Sequence, residues 1–236
     1  MKKRTLLVGM LGAAIASFSL SNAAQANSLV NYNFENTNGY YPGLGGYKFI
    51  NPAATGWQTT DTAVEIWGDG FLGVKAAEGN YFAEINAHEF GTLFQDVSDI
   101  DAGQQLGFSF QHRARSGTDT MKLSITDLGL DNMFGTADDT VLFMKNYSAT
   151  TAKWELNTSE NEDAIMTMGN NIRFAYTAVS TGSGSKSVGN FLDEAKFGLA
   201  SDVTPDAVQD VPEPASILGL LAIGGLFGAF RKKQAA

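Results

Sequence analysis

Two sets of residues have types and spacings that can do chemistry. The first is aromatic and cationic. Tyr40, Tyr41 and Tyr47 lie in a glycine-rich stretch, Trp57 and Trp67 follow, and Arg113 and Arg115 share one face of an alternating run with Asp119 just beyond. Sugar rings offer apolar C–H faces to exposed aromatics, while guanidinium and carboxylate groups bind their hydroxyls, so this set suits carbohydrate recognition. For the two tryptophans the competing role is a plug in a hydrophobic core, the commoner use of that side chain in a sandwich. The tyrosine stretch carries too many glycines to be all core and is expected at the surface. The second set is acidic: Asp127, Asp131, Asp138 and Asp139, with Asn132, fall in one loop of unusual length, residues 127–139. Hard carboxylate oxygens suit Ca2+, but the Asp-x-Asp-x-Asp-Gly spacing and closing glutamate of an EF-hand are missing. The alternative is a loop whose aspartates bind their own backbone amides.

No nucleophile elbow, phosphate-binding loop or dinucleotide fingerprint is present. Glu65, Glu84 and Asp96 supply the carboxylates that glycoside hydrolysis requires, yet no set of nucleophile, base and orienting group can be named, so the chain is expected to be non-catalytic. His112 alternates with Phe110 and Ala114 and reads as a core histidine; His88-Glu89 reads as a surface turn.

The elements that must position these residues are strands. Helical periodicity is nearly absent between residues 27 and 200, and two-residue alternation recurs in short runs separated by Gly, Asn, Asp and Thr. The clearest run is 105–114, where Leu106, Phe108, Phe110, His112 and Ala114 face one way; Met121, Leu123 and Ile125 repeat the pattern. Further strands are expected at 29–34, 63–67, 80–85, 92–97, 140–146, 153–156, 171–179 and 187–199. About ten strands in one such domain predict an all-β sandwich or barrel. Gly182 to Ser185 reads as a hairpin tip.

Charge and cysteine content narrow the partners. Residues 27–210 hold ten basic and 24 acidic side chains, a net of −14 against −9 for the whole chain. That surface repels phosphate backbones, so no nucleic-acid partner is expected. Divalent cations and neutral sugars are compatible. The chain has no cysteine, which rules out disulfides and thiolate-bound zinc, and two histidines are a poor basis for a transition-metal site.

The ordered strings Asn33-Phe34-Glu35, Gly56-Trp57, Glu65-Ile66-Trp67, Glu78-Gly79-Asn80-Tyr81, Ala83-Glu84-Ile85-Asn86, Phe94-Gln95-Asp96-Val97 and Leu192-Asp193-Glu194 resemble bacterial galactose-binding-like jelly rolls, the two-sheet sandwiches of many carbohydrate-binding modules. The likeness implies a jelly-roll domain over residues 27–200 and a structural Ca2+ shared by Glu35 near the first strand and Asp193 on the last. On the last strand this chain departs from the resembled pattern, with Asp193-Glu194-Ala195 where a β-branched residue commonly follows the acidic or amide pair. The 127–139 loop resembles calcium-rich loops of bacterial surface proteins.

Both ends look like sorting equipment. Lys2, Lys3 and Arg4 precede an apolar stretch from Leu6 to Leu20, and Ala24-Gln25-Ala26 gives the small-x-small cleavage pattern of a signal peptide over residues 1–26. An acidic linker, 201–210, leads to Pro212-Glu213-Pro214, an apolar run from Ile217 to Phe230, and Arg231-Lys232-Lys233. Apolar residues with a cationic stop predict a transmembrane sorting helix with its cations in the cytoplasm. Residues 211–236 resemble the PEP-CTERM sorting signal. The resemblance implies an exosortase-type protease as partner, cleavage near the Pro-Glu-Pro stretch, transient anchoring in the cytoplasmic membrane, and delivery to the cell surface or extracellular matrix. The expectation is an exported protein that binds extracellular polysaccharide. The rival expectations are a structural calcium-binding matrix protein without a sugar site and a polysaccharide-acting enzyme.

Overall fold

The computed structural model describes residues 29–203, apart from 37, 41, 99 and 170. The signal-peptide and sorting-tail positions Ala24, Ala26, Pro212, Glu213, Pro214, Arg231, Lys232 and Lys233 lie outside the described residues, as does Tyr41.

Twelve strands form two antiparallel sheets, the jelly-roll sandwich expected of the alternating pattern. In chain order they are β1 (Tyr47–Ile50), β2 (Gln58–Thr59), β3 (Val64–Gly68), β4 (Tyr81–Glu84), β5 (Thr92–Val97), β6 (Gln105–Arg113), β7 (Thr118–Asp127), β8 (Thr140–Thr150), β9 (Glu155–Thr158), β10 (Ile165–Met166), β11 (Ile172–Ser180) and β12 (Phe191–Leu199). The larger sheet runs β1-β3-β4-β12-β6, with β10 and β9 both paired to the free side of β6; the smaller runs β2-β5-β11-β7-β8. Two four-residue helices, α1 (Pro52–Thr55) and α2 (Ala200–Val203), and two 3-10 turns, Phe71–Gly73 and Ser159–Asn161, complete the described elements.

The core lies between the sheets. Leu106, Phe108 and Phe110 from β6 meet Met121, Leu123 and Ile125 from β7 and Ile172, Phe174 and Tyr176 from β11, all buried. Each such side chain contributes about 1.5–3 kcal/mol through removal from water, and this supplies the stability that a cysteine-free chain must find in packing. A bulge in β12 between Asp193 and Lys196, with Glu194 at φ 50°, lets Leu192 and Ala195 both face the core despite their odd spacing.

Two expectations are corrected. Residues 29–34 are a turn and not a strand: Asn31 and Phe34 take left-handed backbone (φ 51° and 57°). The segment is secured by side chains instead. Gln95 accepts from the Val30 amide at 2.9 Å and donates to its carbonyl at 2.8 Å, and Trp57 Nε1 donates to the Asn31 carbonyl at 3.0 Å. Alternation alone cannot distinguish a buried turn from a short strand. The tyrosine stretch, read as loop, contributes an edge strand, since Tyr47 opens β1. The two-residue strands β2 and β10 are too short to show a period.

Candidate functional site

The outer face of the larger sheet carries the site, and strand register builds it. On β3, Val64 and Ile66 point into the core, so Glu65 and Trp67 point outward; on β4, Phe82 and Glu84 do the same. Pairing then lines residues up across the sheet. One row is Phe49, Glu65, Glu84, Phe191 and Arg113; the next is Tyr47, Trp67 and Phe82.

Trp67, Phe82 and Phe191 form a second, outer apolar cluster beneath Phe71, Val74 and Trp154, whose Nε1 donates to the Lys75 carbonyl at 2.9 Å. Trp67 is therefore wholly buried, and its expected role as a sugar platform is corrected to that of a support. Its ring packs on Phe71 at 4.6 Å and on the Arg115 guanidinium at 4.7 Å, and its indole donates to Glu65 at 2.9 Å. Trp57 fills the core and stacks on Phe34 at 5.4 Å.

What remains at the surface is a strip of rings on edge strand β1. Tyr47 and Phe49 are 49% and 42% exposed. Tyr47 stacks on Phe71 at 5.4 Å, and Phe49 stacks on the His88 imidazole at 4.4 Å. His88 is fixed in turn: Asp61 accepts its backbone amide at 2.7 Å and contacts Nδ1 at 3.2 Å. Tyr40 is exposed too, but its ring lies against Lys48, 5.5 Å away. Lys48 leaves β1 on the side opposite Tyr47, so Tyr40 and Tyr47 are not brought onto one surface.

The arginines part company. Arg115 lies beyond the end of β6, and its Nη1 reaches both Glu84 oxygens, at 2.9 and 3.1 Å; Arg113 donates to the Thr151 carbonyl at 2.6 Å. Neither presents a free guanidinium to the ring strip. Asp119, fully buried, accepts amides from Arg115, Gly182 and Asn190 at 2.8–2.9 Å and ties two loops to β7.

Glu65 and Glu84 face one another in register, so the charge of Glu84 opposes ionisation of Glu65. Burial, then the neighbouring Glu84, pushes Glu65 up to about 8; burial pushes Glu84 up to about 7 against the pull of Arg115. This pair lies under the outer cluster, with Glu84 at 0% and Glu65 at 3% exposure, so neither carboxyl is open to a polysaccharide. Asp96 is on the other sheet, bidentate to Arg173 at 2.7 and 2.8 Å. The three carboxylates considered for hydrolysis thus do not form one site. His112 is buried, with Nε2 3.2 Å from Asn190 Oδ1, and burial lowers it to about 4, so it is neutral at pH 7.

The acidic sets bind backbone. Asp193 Oδ2 accepts the Ala77 and Glu78 amides and Oδ1 that of Glu194, while Glu35 accepts those of Asn80 and Tyr81. Both expected ligands therefore grip one loop, 76–81. In the 127–139 loop Asp138 accepts from Leu130, Asp131 from Met133, Asp139 from Gly135 and Asp127 from Gly129. The Thr136 hydroxyl and Leu130 amide hold the Asp138 carboxyl below its usual range. Among the described residues no three His, Asp or Glu side chains are grouped to hold a metal ion. Asp127, Asp138, Asn132 and Met168 line a cleft of about 660 Å³ beside this loop.

Several of these features escape a sequence reading. Phe49 and His88 are far apart in the chain, and only the pairing of β1 with β3 and the Asp61 staple bring them together. The Glu65–Glu84 pair follows from a register that sequence does not give.

No curated protein matches the chain. Among solved structures it is similar to TmCBM61 in complex with β-1,4-galactotriose, at 16% identity over 73% of this chain and 98% of that one, with a TM-score of 0.45. It is similar to the C-terminal family 22 carbohydrate-binding module of Clostridium thermocellum Xyn10B, at 13% identity over 74% and 98%, with a TM-score of 0.42. The tandem CBM22 modules of Paenibacillus barcinonensis Xyn10C give 14% identity over 76% and 52%, with a TM-score of 0.47. Residues 210–233 match the PEP-CTERM protein-sorting motif, so the chain carries a signal for export and membrane-associated sorting.

Proposed function

We propose that this is an exported, non-catalytic polysaccharide-binding protein whose contact surface is the β1 ring strip, released toward the cell surface or matrix by an exosortase-type protease. The observation that carries the reading is the strip itself: Tyr47 and Phe49 alternate onto one face of an edge strand, half in water, each backed by a second ring. Rings fixed in this way lose little freedom on stacking against a sugar, and the Tyr47 hydroxyl and the half-exposed His88 imidazole supply polar partners at the rim. The test is binding of the secreted protein to a glycan array and to polysaccharide from the producing cell. Tyr47→Ala and Phe49→Ala should each weaken binding about tenfold, equivalent to about 1.4 kcal/mol per ring; unchanged binding in the double variant refutes the assignment.

A structural Ca2+ is the second reading. It is favoured by Glu35 and Asp193 both meeting the 76–81 loop, through its backbone amides at 2.7–3.3 Å. Glu35 and Asp193 would hold the ion with backbone carbonyls, the hard oxygens that calcium prefers. It would join the segment after the N-terminal turn to the last strand.

A further inference from the structure

The end of the sandwich at which the described chain leaves for its tail also carries its most exposed apolar loop. Leu106, at the start of β6, pairs with Leu199 at the end of β12 and with Ile165 of β10. Helix α2 follows β12 directly and packs over the same end, where a Cβ on Gly107 would strike Val203 and Ala200. Residues 166–168 are fastened there too: the Thr167 amide donates to the Gln104 carbonyl at 3.0 Å, and Thr167 Oγ1 accepts the Gln104 amide at 3.0 Å. Met168 then shares a cleft with Leu130 of the β7–β8 loop. The opposite end carries the 181–190 loop, whose Gly182 touches Gly117.

At the exit end Leu130 is 97% exposed and Met168 66%, with Met133 and Met166 also in water. The aspartates hold this tip outward. Asp138 caps the Leu130 amide at 2.7 Å, Asp131 caps that of Met133 at 2.8 Å, and Arg173 lies over the Phe134 ring at 4.5 Å, clamping the loop to the sheet. Leu130 and Met168 line one cleft, so this exposed apolar surface is grouped and not scattered. The chain itself indicates the occupant. Thirteen residues, 204–216, separate Val203 from the apolar run that begins at Ile217, a reach of at most about 45 Å when fully extended. A tail seated in a bilayer therefore keeps Val203 within that reach of lipid, and this end of the domain is the one tethered closest to it.

We infer that the Leu130–Met168 end of the sandwich inserts its apolar tip into the lipid surface while the tail is still attached, so that the domain stands end-on and the opposite loops point away. The inference rests on the reading of residues 217–230 as membrane-embedded. Asp131, Asp138 and Asp139 beside the tip disfavour anionic headgroups, so the surface suits zwitterionic lipid.

The chain's lack of cysteine allows single labels. Leu130→Cys, Lys186→Cys and Ile223→Cys, each in the full chain, are labelled with an environment-sensitive dye and reconstituted into phosphatidylcholine vesicles containing a lipid-borne nitroxide quencher. The expected result is strong quenching at 223 and several-fold greater quenching at 130 than at 186, lost when Met133 and Met168 are both replaced by Asp. Quenching at 223 with 130 no different from 186 overturns the inference and leaves the tail reading standing. No quenching at 223 overturns both. Shielding of 130 from a water-soluble quencher without lipid quenching shows a protein contact, such as a second copy, and also overturns it.

Discussion

Replacing Glu65 with Gln uncouples the buried carboxyl pair from pH. Glu65 holds its proton up to about 8 against an ordinary value of 4.5, because it is buried and faces Glu84. A carboxyl raised in the folded state contributes fully below the unfolded value, and its contribution is lost as pH climbs through the folded value. From pH 4.5 to 7 the unfolded chain gives up a proton that the folded chain retains. Those roughly 2.5 pH units, at about 1.4 kcal/mol each, cost about 3 kcal/mol by pH 7. Gln reproduces the protonated geometry: its carbonyl accepts from Trp67 Nε1, the bond Glu65 makes at 2.9 Å, and its amide donates to Glu84. Glu65→Gln should match the parent near pH 4.5 and melt roughly 6–12 °C higher at pH 7, given about 2–4 °C per kcal/mol for a domain of this size. Glu84→Gln should gain less at pH 7, because it removes the charge that raises Glu65 but also breaks the ion pair in which Arg115 Nη1 meets both Glu84 oxygens. Thermal denaturation from pH 4.5 to 8 reads both. A melting difference between Glu65→Gln and parent that does not change with pH refutes the account of a proton held on Glu65.

Calcium titration followed by chelation should raise and then lower the melting temperature, with the increment absent in Asp193→Asn; a flat response in the parent removes the second reading. Gly129→Ala should loosen the acidic loop, because the new Cβ would sit 2.3 Å from the Asp138 carboxylate at a backbone φ of +62°. A cost of about 1–2 kcal/mol, with faster amide exchange at Leu130, is expected, whereas exchange unchanged from the parent contradicts the cap. Mass spectrometry of the secreted protein should find a C-terminus near Pro212, and an intact 231–233 cation cluster in that material argues against exosortase-type release.

The sandwich was legible because β6 and β7 alternate strictly. Leu106, Phe108 and Phe110, then Met121, Leu123 and Ile125, reach the core as their spacing requires. His112 was legible for the same reason. Trp67 was only half legible: its outward direction follows from alternation, but its burial depends on Phe71, Val74 and Trp154, which fold over the outer face from distant segments. The aspartate loop was found as a cluster, while its occupation by its own amides depends on turn geometry that composition does not encode. In the sequence Phe49 looks like any other strand aromatic, since only the stack on His88 distinguishes it.

The most direct measurement is a calorimetric titration of the purified secreted protein with polysaccharide from the producing cell, run in parallel on the Tyr47→Ala/Phe49→Ala variant. Saturable heat in the parent and about a hundredfold weaker binding in the variant, at equal melting temperature, is the predicted result. Equal binding by both proteins, or none by the folded parent, contradicts it.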